Sequence, residues 1–208
     1  MVQAAGLKRE ANILLIGDGA VGKTSLVNVY NGKPFQDVQM ATLGMDFISQ
    51  DVTPKSNAND SYNLKIWDTA GQERFKSLTM SFYKQSHGMM VCFDLTKQST
   101  FQSVRRWIVA VNQNCPAGVA TILIGTKCDL EEDRVISKEE AETLAADNNM
   151  MYFETSARSN IKVQDAFIEI IDQVYQNKFA PSSAAASQAP QRETLKLSRK
   201  SEAGAKQA

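Results

Sequence analysis

Histidine occurs once in this chain, at His87, and cysteine only three times, at Cys92, Cys115 and Cys128. His87 stands in a Ser-His-Gly turn ahead of an apolar run, the setting of a loop or edge histidine, so a Ser/His/Asp or Cys/His nucleophilic mechanism has little to rest on. The cysteines are odd in number, widely spaced and without CxxC or histidine partners, which reads as reduced thiols rather than disulfides or a zinc site. Charge of one sign is also missing: 23 Lys+Arg balance 23 Asp+Glu, so nothing in the electrostatics points to nucleic acid. The longest apolar runs, such as Ile13–Gly17 and Gly88–Phe93, are strand-sized and far below the roughly 18 residues of a bilayer span. No apolar signal-peptide core follows Met1. These absences lead to the expectation of a water-soluble cytoplasmic protein.

What is present is ordinary globular composition, 43% hydrophobic and 22% charged over 208 residues, enough chain for one domain with a full core. Short apolar runs alternate with amphipathic stretches, the pattern of an α/β domain. Strands are expected at Asn12–Ile16, Phe47–Val52, Tyr62–Trp67, Met89–Leu95, Ala120–Thr126 and Met151–Glu154. Thr100–Asn114 places Phe101, Val104, Ile108 and Val111 on one helical face, and Gln164–Lys178 does the same with Phe167, Ile168, Ile171 and Val174. Ser137 followed by Glu140 reads as a capping box opening a helix through Asn148. Only the second and third strands follow one another without a helix, and Pro54–Ser61 between them is a turn-forming loop suited to a hairpin. The expected architecture is α/β, a three-layer sandwich of the P-loop NTPase type, with a six-stranded, mostly parallel sheet, one antiparallel strand and about five helices. Residues 1–10 read as an N-terminal extension, 11–178 as the domain, and 179–208, poor in aromatics and rich in Ala, Ser and Gln, as a disordered tail.

Gly17-Asp18-Gly19-Ala20-Val21-Gly22-Lys23-Thr24 fits GxxxxGK[ST] directly after a strand and before a helical segment. Glycines let such a backbone curl until its N–H groups converge on phosphates, and the following helix adds a positive dipole end. Lys23 supplies a point charge for the β- and γ-phosphates, and the Thr24 hydroxyl suits Mg²⁺. Trp67-Asp68-Thr69-Ala70-Gly71-Gln72-Glu73 then ends a strand with a carboxylate that can hold Mg²⁺ through water. A glycine follows whose N–H can meet the γ-phosphate, and an amide, Gln72, able to orient an attacking water. Gly125-Thr126-Lys127-Cys128-Asp129 ends the fifth strand, where ligands collect in open α/β sheets. The Asp129 carboxylate can accept from N1–H and N2–H₂ of guanine, whereas adenine would leave it unpaired. The Lys127 stem can cover the base. After the sixth strand, Glu154-Thr155-Ser156-Ala157 offers backbone N–H groups for guanine O6.

With these five motifs in order from about Ala11 to Lys178, the chain resembles the Ras-superfamily small GTPases. Thr42-Leu43-Gly44-Met45-Asp46-Phe47, Trp67–Phe75 and Ser81–Asp94 resemble Rab-type sequences more than Ras, Rho, Arf or Ran types. The resemblance implies a nucleotide site of Gly17, Gly19, Ala20, Val21, Gly22, Lys23, Thr24, Ser25, Phe35, Thr42, Gly71, Thr126, Lys127, Asp129, Ser156, Ala157 and Arg158. It implies Mg²⁺ on Thr24, Thr42 and Asp68, and chemistry carried by Gln72, Lys23 and Thr42. Phe35 matches the aromatic ring stacked on the base, and Thr42 the threonine that joins Mg²⁺ and the γ-phosphate in the triphosphate state alone. The implied activity is slow GTP hydrolysis by a GDP/GTP switch in vesicle or protein trafficking. Its implied partners are an exchange factor, a GTPase-activating protein and effectors, met as a monomer through the switch segments and Phe47, Trp67 and Phe82.

Departures carry expectations too. Thr126 stands where the family commonly has Asn, which shortens or removes a bridge between base and P-loop and makes Thr126→Asn a change expected to tighten binding. Ala20 replaces a common glycine, Arg158 a common lysine and Gln39 a common Tyr, and Pro54–Ser61 makes the hairpin about three residues longer. The chain ends Gly204-Ala205-Lys206-Gln207-Ala208 without the cysteines that Rab-type chains prenylate, so no direct lipid anchor is expected, and membrane association only through partners or a further C-terminal extension. Two rival classes remain: a nucleotide-binding scaffold with negligible hydrolysis, which would be expected to lack Gln72, Thr42 or Asp68, and a P-loop ATPase or kinase, against which Asp129 speaks.

Overall fold

The computed structural model describes residues 9–37, 42, 44–69 and 81–180. Six strands, β1 (Glu10–Ile16), β2 (Met45–Val52), β3 (Tyr62–Thr69), β4 (Gly88–Asp94), β5 (Ala120–Thr126) and β6 (Met151–Thr155), form one sheet in the order β2-β3-β1-β4-β5-β6. Every pairing is parallel except β2 with β3. Around it lie α1 (Lys23–Tyr30), α2 (Gln98–Asn114), α3 (Lys138–Asp147) and α4 (Val163–Lys178), with a 3₁₀ turn at Glu131–Asp133. The expected sheet is the observed one. β3 runs two residues past Trp67 because the antiparallel ladder continues, Asp68 opposite Asp46 and Thr69 opposite Met45, and the Thr69 hydroxyl donates to the Leu15 carbonyl at 2.7 Å.

Alternation along buried strands builds two cores, one on each face of the sheet. Ile13 and Leu15 of β1, Met90 and Cys92 of β4, and Ile122 and Ile124 of β5 face α1 and α4. Leu14, Ile16, Met89, Val91, Phe93 and Leu123 face α2 and α3. On the first face Phe167 of α4 is fully buried, its ring stacked at 3.9 Å on Tyr30 of α1. Gly88 lets α4 approach the sheet, since a Cβ there would lie 2.9 Å from Ile13 and from Val174. The capping box is present: the Glu140 N–H donates to Ser137 Oγ at 3.2 Å and the Ser137 N–H to Glu140 Oε2 at 3.1 Å.

The long β2–β3 loop is seated on α4. The Ser56 N–H donates to Asp172 Oδ1 at 2.6 Å, the Tyr175 hydroxyl to Asp60 Oδ2 at 2.8 Å, and the Tyr62 hydroxyl to the Ile171 carbonyl at 2.8 Å. At the opposite edge of the molecule, the carboxyl ends of β1, β3, β5 and β6 open together, where strand order reverses beside β1.

Candidate functional site

The loop from β1 to α1 takes its shape from residues in the left-handed region: Gly17 at φ 142°, Ala20 at 59° and Gly22 at 101°. Gly17 is required by space as well, because a Cβ there would lie 2.1 Å from the Cys92 carbonyl oxygen. Ala20 holds its conformation despite its Cβ, at a local cost that the surrounding loop sustains. The curled loop aims Lys23 back across itself, its ammonium donating to the Gly17 carbonyl at 2.9 Å and the Asp18 carbonyl at 2.8 Å. Burial lowers the Lys23 pKa from the ordinary lysine value.

Beside it three oxygens converge from three segments. Thr24 Oγ1 donates to Asp68 Oδ2 at 2.6 Å and lies 2.8 Å from Thr42 Oγ1, which in turn is 3.5 Å from the same carboxylate oxygen. Asp68 is 4% exposed, burial raises its pKa, and its Oδ1 has no hydrogen-bond partner among the described residues. A buried carboxylate with an orphaned oxygen, flanked by two hydroxyls, is an unstable arrangement on its own and fits a hard divalent cation that prefers oxygen donors.

A cavity of 510 Å³ runs from this cluster to the ends of β5 and β6. Its lining includes Gly19, Ala20, Gly22, Lys23, Thr24, Ser25, Phe35, Thr42, Thr126, Lys127, Asp129, Ala157 and Arg158, most of the residues that the motifs singled out. Val21 is fully buried behind the loop. Ser156 is also fully buried, and its N–H is spent on the Ile161 carbonyl at 3.1 Å, so it shapes the turn and is not a free donor for a base. Gly71 and Gln72 lie outside the described residues.

Of the two outcomes expected at Thr126, a shorter bridge or a lost one, the structure has the shorter bridge on the P-loop side. The Thr126 hydroxyl, 3% exposed, lies 2.6 Å from the Val21 carbonyl and 2.8 Å from the Phe93 carbonyl, tying the base end of the cavity to the phosphate loop through one short side chain. Sequence reading also missed three contributors. Asp94, fully buried at the end of β4, holds the Lys127 ammonium at 2.6 Å and so fixes where the lysine stem runs. Asp37 lines the mouth and forms an ion pair with Arg158, whose guanidinium lies 5.6 Å over the Phe35 ring. Trp107 of α2 donates its indole N–H to Asp18 Oδ1 at 2.9 Å. No spacing rule connects these residues to a motif; the closing signal for Asp94 was a carboxylate ending an otherwise apolar strand.

Away from the cavity, Phe47 of β2 is 47% exposed, its ring 4.6 Å from Trp67 of β3, which lies 4.7 Å from Phe82. The three form a continuous aromatic row at the β2–β3 side.

Comparison with known proteins agrees with this geometry. The family model described as Ras family matches residues 12–176. Among curated relatives, Ras-related protein RabG2 of Dictyostelium discoideum is 37% identical over 82% of this chain and 85% of its own length. Ras-related protein Rab-13 of Rattus norvegicus is 38% identical over 74% and 75%, and Ras-related protein RABA5b of Arabidopsis thaliana 39% over 79% and 75%.

Proposed function

The chain belongs to the Ras family, on its Rab branch, and from that premise we propose how its residues divide the work of a guanine-nucleotide switch. It is a GTPase that binds GTP and GDP with Mg²⁺, cleaves GTP to GDP and phosphate, and works with exchange factors, GTPase-activating proteins and effectors in trafficking. The observation that carries the residue assignment is the convergence of Thr24, Thr42 and Asp68 beside Lys23 at one end of the cavity that Asp129 and Lys127 line at the other.

Thr24 and Thr42 would hold Mg²⁺ and Asp68 would support it; the ion, when bound, would offset the charge of the phosphates. Lys23 places its ammonium against the β- and γ-phosphates, and the backbone of residues 19–24 donates to them. At the other end the Asp129 carboxylate accepts from guanine N1–H and N2–H₂, while Phe35 and the Lys127 stem cover the base faces. Asp129 is half-buried at the cavity wall, and an acceptor that guanine satisfies and adenine leaves unpaired discriminates by about 10⁴–10⁵. In hydrolysis, water oriented by Gln72 attacks the γ-phosphorus in line, the bond to the β–γ bridging oxygen breaks, and GDP leaves with that electron pair. Gly19 leaves room for a partner side chain beside the γ-phosphate. Loss of that phosphate releases Thr42 and the Gly71 N–H, which loosens both segments. The Phe47, Trp67 and Phe82 row is the effector surface in this reading: Phe47 is exposed while its ring packs tilted against Trp67, which packs in turn against Phe82, the mark of an apolar surface held in place for a partner. A cytoplasmic location belongs to the same reading, supported by three free cysteines.

Nucleotide released from the purified chain tests the site: GDP or GTP on chromatography is expected, and ATP would overturn the role of Asp129. Single-turnover GTP cleavage by Gln72→Leu then separates the switch from a scaffold. Retained GTP with cleavage slowed at least tenfold supports the assignment, and an unchanged rate removes Gln72 from it.

A further inference from the structure

The P-loop carries a carboxylate that phosphate binding does not use. Asp18 lies between the Gly17 turn and Gly19, and its backbone carbonyl accepts from the Lys23 ammonium at 2.8 Å. Its side chain is therefore an anion attached to the segment that has to cradle other anions, within Coulombic reach of the lysine that serves them. Left to rotate, that carboxylate would compete with phosphate oxygens for Lys23. In this fold it does not rotate freely: Oδ1 accepts from the Trp107 indole N–H at 2.9 Å, across from α2. The two residues are 89 positions apart, and α2 is otherwise no part of the cavity lining.

We propose that Trp107 is a positioning residue for the phosphate loop: its indole N–H holds the Asp18 carboxylate on the α2 side and thereby keeps Lys23 for the nucleotide. Three features support this. The bond is a charge-assisted one to a partly buried carboxylate, stronger than an ordinary neutral hydrogen bond. Trp107 packs on the core face formed by Leu14, Met89 and Val91, so the donor is placed by the sheet and not by a mobile surface side chain. Asp18 meets Lys23 through its backbone and Trp107 through its side chain, so a change at Trp107 reaches the lysine through one residue. Release of the carboxylate acts through charge, so its cost rises with the negative charge bound: GTP suffers more than GDP. Simple loosening of the loop would weaken both alike.

The inference rests on the guanine-nucleotide reading of the cavity and is tested on the full chain loaded with labelled GDP or a non-hydrolysable GTP analogue. Dissociation rates are measured for Trp107→Phe in the wild-type background and in the Asp18→Asn background, a double-mutant cycle. In the wild-type background Trp107→Phe should speed release of the GTP analogue about tenfold and of GDP clearly less. In the Asp18→Asn background, where no anion is left to release, the same change should alter the GTP-analogue rate by less than about twofold. Equal effects on both nucleotides, or equal effects in both backgrounds, would make Trp107 a packing residue only and overturn the proposal. Failure of every variant, wild type included, to hold guanine nucleotide would instead overturn the reading on which it rests. If Trp107→Phe does not fold, the wild-type indole decides: its N–H should exchange slowly with solvent and lose that protection in Asp18→Ala, and rapid exchange in the wild type would rule the bond out.

Discussion

Thr126 shows how much one hydroxyl carries at this site. It lies within hydrogen-bond distance of the Val21 carbonyl in the phosphate loop and the Phe93 carbonyl of β4, in a position 3% exposed. Thr126→Val keeps the volume and removes the single hydroxyl proton that these two buried carbonyls share, at about 1–3 kcal/mol. Thermal melting should register that loss, and GDP release should accelerate because the link between the base end and the phosphate loop is cut. An unchanged melting point and off-rate would show that the hydroxyl is dispensable. The same position bears on Thr126→Asn: a larger amide has to enter a filled, satisfied site, which argues against the tighter binding that the family pattern implies. At this scale the motifs themselves were legible, because Lys23, Thr24, Asp68 and Asp129 stand at fixed offsets from strand ends and the chemistry demands their types. Asp94, Asp37 and Trp107 were not, because what makes each of them matter is a partner 33, 121 and 89 residues away respectively.

The elements were legible wherever one face is buried. Phe167, Ile171 and Val174 announced α4 by their spacing, and the structure buries all three. Ile168, placed on the same face in the sequence reading, is 43% exposed, since the buried stripe runs through Val163, Ala166, Phe167, Ile170, Ile171, Val174 and Tyr175 and Ile168 stands one residue past Phe167, about 100° round the helix from it. Phe167 is the anchor of the element: fully buried and stacked on Tyr30, it joins α4 to α1 and both to the sheet. Phe167→Ala should cost about 3–5 kcal/mol, because the neighbouring rings and β-strands cannot collapse into the space. The midpoint of denaturant unfolding measures it, and a loss below about 1 kcal/mol would show that the stack is not a keystone. The seating of the β2–β3 loop on α4 was beyond the sequence. Pro54 and the polar residues after it declare a turn, but nothing in them declares Asp172 and Tyr175 as its receptors.

The whole molecule separates its two ends. Nucleotide chemistry gathers at the carboxyl ends of β1, β3, β5 and β6, while the opposite end is closed by a polar knot around His87 at the entry to β4. There the Asn12 N–H donates to His87 Nδ1 at 3.1 Å, and the Lys178 ammonium at the end of α4 lies 2.5 Å from Nε2 while donating to the Glu10 carbonyl at 2.6 Å. Burial, and then the Lys178 charge, lower the His87 pKa from 6.5 to about 4. An unfolded chain would take up a proton near 6.5 that the folded one resists until about pH 4, so the unfolded state binds more protons within that window. Stability contributed by the neutral imidazole is thus fully present above pH 6.5 and is lost progressively as pH falls toward 4. His87→Gln removes the titrating group. Carboxylates elsewhere titrate equally in both proteins, so the informative quantity is the difference between their melting points. Relative to its value at pH 7.5, that difference should move in favour of the variant between pH 6.5 and 4.5, the wild type losing more stability than His87→Gln over that interval. Because the knot stands at the far end of the sheet from Lys23 and Asp129, the shift should appear equally with GDP bound and with a GTP analogue bound. A difference between the melting points that stays flat with pH would show that His87 titrates in the folded protein as it does in the unfolded chain.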